Sequence, residues 1–235
     1  MKILMINSVC GIRSTGRICT DLATALEAEG HEVKIGYGRE TVPEQYSKFA
    51  VRIGTEADVR LHGVRARLFD ADGKGSIQAT KKFLTWVQEY NPDIIHLHNL
   101  HGYYINVQLL FEYIINNKKK VVWTLHDMWA FTGHSGTCDS RNCEKWQTGC
   151  GKCPAYKGYP KSMVDFSKTN YKWKKELYEK LDEAGVAYVV YDGTQPNPTI
   201  DNIEEARALY LDNGCQAVIA FGGGSPMDCA KAAAA

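Results

Sequence analysis

Apolar positions in this chain alternate between two spacings, and the alternation predicts an α/β fold. Lys2 to Asn7 is apolar almost throughout, as a parallel strand covered on both faces should be. From Arg17 the spacing turns helical, with Ile18, Leu22, Ala25 and Leu26 on one stripe and Glu29-Gly30-His31 as the stop. Val33 to Tyr37 predicts a second strand. Val51 to Ile53 reads as a short strand and Val59 to Leu68 as partly helical, within a stretch from Gly38 to Gly75 that is otherwise hard to read. A long helix follows from Ser76, carrying Ile77, Thr80, Phe83, Leu84 and Val87 on one face and ending at Asn91-Pro92. Asp93 to Leu97 and Val121 to Leu125 are two more strands, the latter expected to be buried, and Ile105 to Ile115 is the amphipathic helix between them. Tyr171 to Ala184 continues as a helix. A fresh alternation then begins: strand Val186 to Tyr191, helix Ile200 to Asn213, strand Ala217 to Phe221, and a helix from Pro226, a residue suited to a first helical turn.

This order places candidate chemistry at strand ends, where open α/β sheets bind ligands. Ser8 to Gly16 is a loop between the first strand and helix, and Gly11 and Gly16 with Ser14 and Thr15 would let backbone N–H groups approach a phosphate or sugar. The spacing is not the dinucleotide fingerprint GxGxxG, and a plain tight turn is the alternative. His126 and Asp127 close the Val121 strand, with simple strand capping as the alternative role. His96, His98 and His101 crowd the end of the preceding strand. His-x-His puts two imidazoles on one face, which suits a metal; substrate contact or structural hydrogen bonding is the competing reading. If the two strands are neighbours, His98, Asn99 and His126 face one another across a cleft able to bind sugar hydroxyls.

Cys138-x4-Cys143-x6-Cys150-x2-Cys153 puts four thiols within sixteen residues, with Gly149 and Gly151 supplying turn freedom. Structural zinc is one reading, unliganded thiols packed in a loop another, disulfides a third. Near the C-terminus, Gly222-Gly223-Gly224-Ser225 between strand and helix forms a phosphate cradle, and Asp192 closes a strand where a carboxylate can hold ribose hydroxyls. A glycine turn and a capping aspartate are the plain alternatives.

Composition narrows the function classes. The 235 residues are 44% hydrophobic and 23% charged, enough for one large domain or two small ones. A net charge of +1 gives no footprint for nucleic acid or an anionic membrane. Lys118 to Lys120 and the Lys172, Lys174, Lys175 group read as solvated faces. No apolar run approaches the ~20 residues that span a bilayer, and the first apolar segment is too short for a signal peptide. A cytoplasmic protein is expected, its eight cysteines reduced or metal-bound. Peripheral membrane contact is compatible with this sequence, and nothing in it points to an oligomeric state.

NSVCGIRSTGRICTDLATAL, NPDIIHLHNLHGYYIN, VVWTLHDMWAFTGH and CEKWQTGCGKCPAYKGYPKS together resemble the N-terminal domain of family 4 retaining glycosyltransferases of the GT-B type, especially those of exopolysaccharide and capsule synthesis. The resemblance covers residues 1–178, with a Cys-rich loop at 134–160. It implies transfer of a hexosyl group from a nucleotide sugar to a glycan or lipid-linked acceptor, with no required metal. Gly11 to Gly16 would approach the donor phosphates, and His126 would match the histidine near the donor sugar. The chain departs from that family at Ser135, where cysteine is frequent. The donor-binding half is not among these residues, so catalysis by this half alone is not expected.

Residues 181–235 resemble part of the NAD-binding domain of iron-containing alcohol dehydrogenases. GGGSPMDCAK looks like that family's pyrophosphate motif, assigning Gly222 to Ser225, Asp228 and Lys231 to NAD(P), and YDG brings Asp192 to the adenosine ribose. No histidine follows His134, so the family's iron site is not expected. The reading is a fusion of two pieces, 1–178 and 179–235, with a seam inside one helix near Leu177 to Leu181. The second piece, about 55 residues, buries too little surface for reliable stability alone.

Overall fold

The computed structural model describes residues 1–138, 142–183, 199–212 and Cys229. In chain order the elements are β1 (Lys2–Ile6), α1 (Arg13–Ala28), β2 (Glu32–Tyr37), β3 (Ala50–Arg52), α2 (Glu56–Phe69), α3 (Ile77–Tyr90), β4 (Ile94–Leu97), α4 (Val107–Asn116), β5 (Lys120–Trp123), α5 (Lys145–Thr148), α6 (Ser167–Glu183) and α7 (Ile200–Asp212). The strands form one parallel sheet in the order β3-β2-β1-β4-β5. The α/β, Rossmann-like expectation is met. The second-half strands Val186 to Tyr191 and Ala217 to Phe221, the helix from Pro226, and Asp192, Gly222, Gly223, Gly224, Ser225, Asp228 and Lys231 lie outside the described residues.

Both faces of the sheet are covered, and the alternation of side chains in β1 shows how. Ile3 and Met5 point to a core completed by Cys19, Ala23, Val33, Ile35 and Phe49. Leu4 and Ile6 point the other way, into a core with Phe83, Val87, Ile95, Leu97, Leu110, Phe111 and Leu177. Burying some ten large aliphatic and aromatic side chains, each worth roughly 1.5–3 kcal/mol, makes this two-sided core the main stabilising term. Glycine lets the helical layer settle close: a Cβ on Gly36 would stand 2.6 Å from Phe83 Cζ.

Three expectations change and one is met with shifted bounds. First, α1 begins at Arg13, not Arg17, so Ser14, Thr15 and Gly16 occupy its first turn and the preceding loop is shorter. Gly11, at φ +72°, makes the sharp turn early. Gly16 enters the helix because its missing Cβ lets the turn sit against Val9 and the Gly11 N–H. Second, the short strand expected at Val51 to Ile53 and the partly helical stretch expected at Val59 to Leu68 are met with shifted bounds, as β3 and α2, the latter opened by a reciprocal capping box between Thr55 and Asp58. Third, β5 is half-buried and ends at Trp123, because among the described strands it has β4 on one side alone. Fourth, Lys174 is buried, as described below.

Candidate functional site at the carboxyl edge of the sheet

The connections from β1 and β4 leave in opposite directions along the sheet, and such a switch point opens a crevice at the carboxyl edge. Register supplies the chemistry. His96 pairs with Val122 and Leu97 with Trp123, so the chain exits from β4 and β5 run side by side. With side chains alternating every residue, His96 and His98 share one face, as do Thr124 and His126. The His96 and His98 ring centroids are 4.1 Å apart. His96 Nε2 is 2.9 Å from Thr124 Oγ1, and His98 Nδ1 is 3.0 Å from His126 Nε2. His101 Nε2 lies 2.6 Å from Asp127 Oδ2, while Asp127 Oδ1 accepts the Trp129 N–H at 2.8 Å.

Hydrogen bonding therefore accounts for the histidine cluster, and among the described residues no group of three or more His, Cys, Asp or Glu side chains is already arranged to hold a metal ion. A shallow crevice opens beside it, lined in part by His98, Asn99, His101, His126, Asp127 and Trp129.

Burial sets the charge state. It pulls His96 down to about 4, with His126 pushing in the same direction. Burial, then the neighbouring His96 and His126, place His98 well below the ordinary histidine value. Burial also lowers His126, against the opposing pull of Asp127. These three imidazoles are neutral near pH 7. His101 differs: burial pushes it down, but the hydrogen bond and charge of Asp127 together win and raise it. Burial pushes Asp127 up, and its His101 partner, helped by the Trp129 N–H, more than reverses that. The crevice thus combines a neutral histidine row with a charge-assisted His–Asp pair.

His98 Nε2 is buried with no hydrogen-bond partner. The arrangement that avoids stranding an N–H there has His98 Nδ1–H donating to His126 Nε2. His126 Nδ1 then carries a proton and remains for a ligand oxygen.

The structure brings His98, Asn99, His126 and Asp127 together. Gly11, Ser14, Thr15 and Gly16 stand further along the same edge and do not line the crevice. They are tied to it through a residue that the sequence reading passed over. Asn7, fully buried, donates to Val9 O at 2.8 Å and to Thr15 Oγ1 at 3.3 Å, and its Oδ1 accepts the Asn99 N–H at 3.3 Å. A buried asparagine closing a strand before a glycine turn was the available signal.

Lys174 departs from the solvated face that its lysine-rich stretch predicts. It is 3% exposed. Its Nζ donates to Trp129 O and, at 3.0 Å, to Thr132 O, and lies 3.5 Å from the centre of the Trp129 ring. Burial lowers its pKa to about 7, against the pull of Asp72, Asp127 and Asp70. The lysine pins α6 to the turn that forms the crevice wall. Lys174→Met should remove the donor from two buried carbonyls and cost about 2–4 kcal/mol. Urea unfolding would measure it, and a loss under about 0.5 kcal/mol would deny the lysine that role.

Cys138, Cys143, Cys150 and Cys153 line a second cavity below the same turn. All seven described cysteines are free thiols, so the disulfide reading is not met among them.

Fold and crevice together define a Rossmann-like α/β domain with a polar, histidine-rich ligand edge. The family model described as Glycosyltransferase Family 4 matches residues 15–160, and the chain belongs to that family. A second model, iron-containing alcohol dehydrogenase, matches residues 160–235.

Among relatives, a candidate colanic acid biosynthesis glycosyl transferase, WcaC of Escherichia coli (strain K12), is 30% identical over 190 residues, 77% of this chain and 43% of that protein. The chain thus spans less than half the length of that relative. Lactaldehyde reductase of the same strain is 38% identical over 78 residues, 32% of this chain and 20% of that one. The SsfS6 glycosyltransferase of Streptomyces sp. SF2575 aligns over 55% of this chain and 40% of its own, at 14% identity and a TM-score of 0.36.

Proposed function

We propose that residues 1–178 form the acceptor-side half of a GT-B glycosyltransferase that passes a hexosyl group from a nucleotide sugar to a glycan or lipid-linked acceptor. The observation that carries this reading is the His98–His126 pair beside the His101–Asp127 pair at the switch-point edge. In it, His126 Nδ1–H donates to a sugar oxygen, Asp127 stays ionised and fixed, and Asn99 and His98 line the wall. The Gly11 turn and the first turn of α1, with Ser14, Thr15 and Gly16, face the donor phosphates.

Membership of Glycosyltransferase Family 4 supports the chemistry. No described helix is long and apolar enough to cross a membrane, and the free thiols support a cytoplasmic location.

The domain boundary follows α6. Through Leu177 this helix contributes to the sheet's core, with Trp173 packed against it and Lys174 on the crevice wall. We place the end of the glycosyltransferase piece there. Residues 179–235 support a second reading, an NAD(P)-binding fragment at Asp192, Gly222 to Ser225, Asp228 and Lys231, and the dehydrogenase match at 160–235 favours it.

Calorimetric titration of the 235-residue chain with UDP- and GDP-sugars, oligosaccharide acceptors and NAD(H) separates the readings. The expected result is measurable acceptor binding, weakened about tenfold by His126→Ala through loss of a hydrogen bond worth about 1.5 kcal/mol. No turnover is expected in sugar-transfer or alcohol-oxidation assays. Dinucleotide binding without any sugar binding would overturn the leading assignment.

A further inference from the structure

The cavity below the Thr132–Ser135 turn holds a fifth group that the cysteine spacing alone did not reveal. His134 is 3% exposed and lines this cavity together with the cysteines. Its Nδ1 lies 2.5 Å from Asp70 Oδ1, and Asp70 is itself held, Oδ2 accepting the Phe166 N–H at 2.9 Å and the backbone carbonyl accepting from Asn170 Nδ2 at 2.7 Å. His134 Nε2 is buried and has no hydrogen-bond partner. A carboxylate fixing one imidazole nitrogen while the other presents a free lone pair is the arrangement that orients histidine ligands to zinc.

The thiols are not equivalent. Cys138 Sγ is committed to Ser135 O at 3.5 Å, whereas Cys143, Cys150 and Cys153 are partly exposed around the cavity. Cys150 Sγ already accepts the Gly133 N–H at 3.2 Å, a bond suited to a thiolate.

We propose that His134 Nε2 and the sulfurs of Cys143, Cys150 and Cys153 bind one structural Zn²⁺, with Asp70 as the positioning carboxylate. Three thiols lose their protons to solvent on binding, and four protein ligands close the tetrahedron. Among the described residues no group of three or more such side chains stands in metal-holding geometry, so the proposed site requires the loop to close on the ion. Gly149, at φ +151° and with open space about it, and Gly151 flank Cys150 and would supply the turning points for that closure. The ion would fasten the Cys-rich loop to the turn whose Trp129 and Thr132 carbonyls hold Lys174, bracing the crevice wall from below. The site is independent of whether the crevice binds sugar.

The test is zinc content and Co²⁺ titration of the full chain purified under reducing conditions. One equivalent of zinc is expected, and the Co²⁺ form should show the visible bands of a tetrahedron of three sulfurs and one nitrogen. Wild-type spectra read this without any variant having to fold. Asp70→Asn should weaken zinc about 10–100-fold, as loss of such a partner does, while Cys138→Ser should leave stoichiometry unchanged. Less than about a tenth of an equivalent, with all thiols freely titratable, would overturn the site. A four-sulfur cobalt spectrum abolished by Cys138→Ser would equally overturn it, returning the ligand set to the four cysteines.

Discussion

Gly133→Ala should destabilise the domain by on the order of 3 kcal/mol or more, at the upper end of what overpacking costs. A Cβ on Gly133 would stand 2.1 Å from the Ser167 carbonyl oxygen and 2.9 Å from Cys150 Cβ. The oxygen belongs to the backbone of the first turn of α6, so no rotamer change relieves the overlap. Either α6 moves or the Thr132–Ser135 turn does. Both movements pull Lys174 away from Trp129 and Thr132 and disturb the crevice wall.

Gly63→Ala is the matched control. Its Cβ would meet Tyr103 Cδ2 at an ordinary 3.5 Å, and a helical glycine replaced by alanine should gain roughly 0.5–1 kcal/mol. Thermal and urea unfolding of the pair should therefore shift in opposite directions. If Gly133→Ala unfolds within about 0.5 kcal/mol of the parent, the turn and α6 are not locked together.

The second large effect is loss of stability in acid. A histidine whose folded pKa is depressed binds protons more weakly folded than unfolded, so the unfolded chain takes them up first as pH falls. Stability from these groups is full above about 6.5, the unfolded histidine value, and is lost progressively toward the folded pKa. For His96, held near 4, the loss is on the order of 3 kcal/mol across that window. His98, His126 and the buried His62 shift in the same direction and add to it.

His101 acts oppositely. Its raised pKa contributes stability that is fully present below about 6.5 and lost as pH rises through the folded value. The net expectation is a stability that falls steeply from pH 6.5 to 4, with His96→Gln flattening the slope. A pH-independent unfolding free energy across this range, or an unchanged slope in His96→Gln, would contradict the neutral histidine row.

Much of this molecule is legible from side-chain periodicity. β1 is apolar on both faces, as a parallel strand with helices above and below should be, and the helical stripe of α1 covers one side while those of α3 and α4 cover the other. Placement of His98, Asn99, His126 and Asp127 at strand ends was likewise readable, because the carboxyl edge follows from βαβ handedness. Two features were not. The length of the Gly11 loop depends on a glycine accepting φ +72° against Tyr46 and on Gly16 fitting under Val9, both contacts between distant or folded-back segments. Lys174 lies in a run of lysines whose local character is polar, and it is buried because Trp129 and Thr132 offer it two carbonyls 42 to 45 residues away.

Local sequence determined the element types, the parallel order of construction and the family to which the chain belongs, because hydrophobic spacing and short motifs act within a few turns of the backbone. Tertiary structure decided which polar groups met: His98 with His126, His101 with Asp127, and Asp70 with His134 across 64 residues. Such pairs are specified by sheet register and by burial, which raise the cost of an unpartnered polar atom only once the chain has folded.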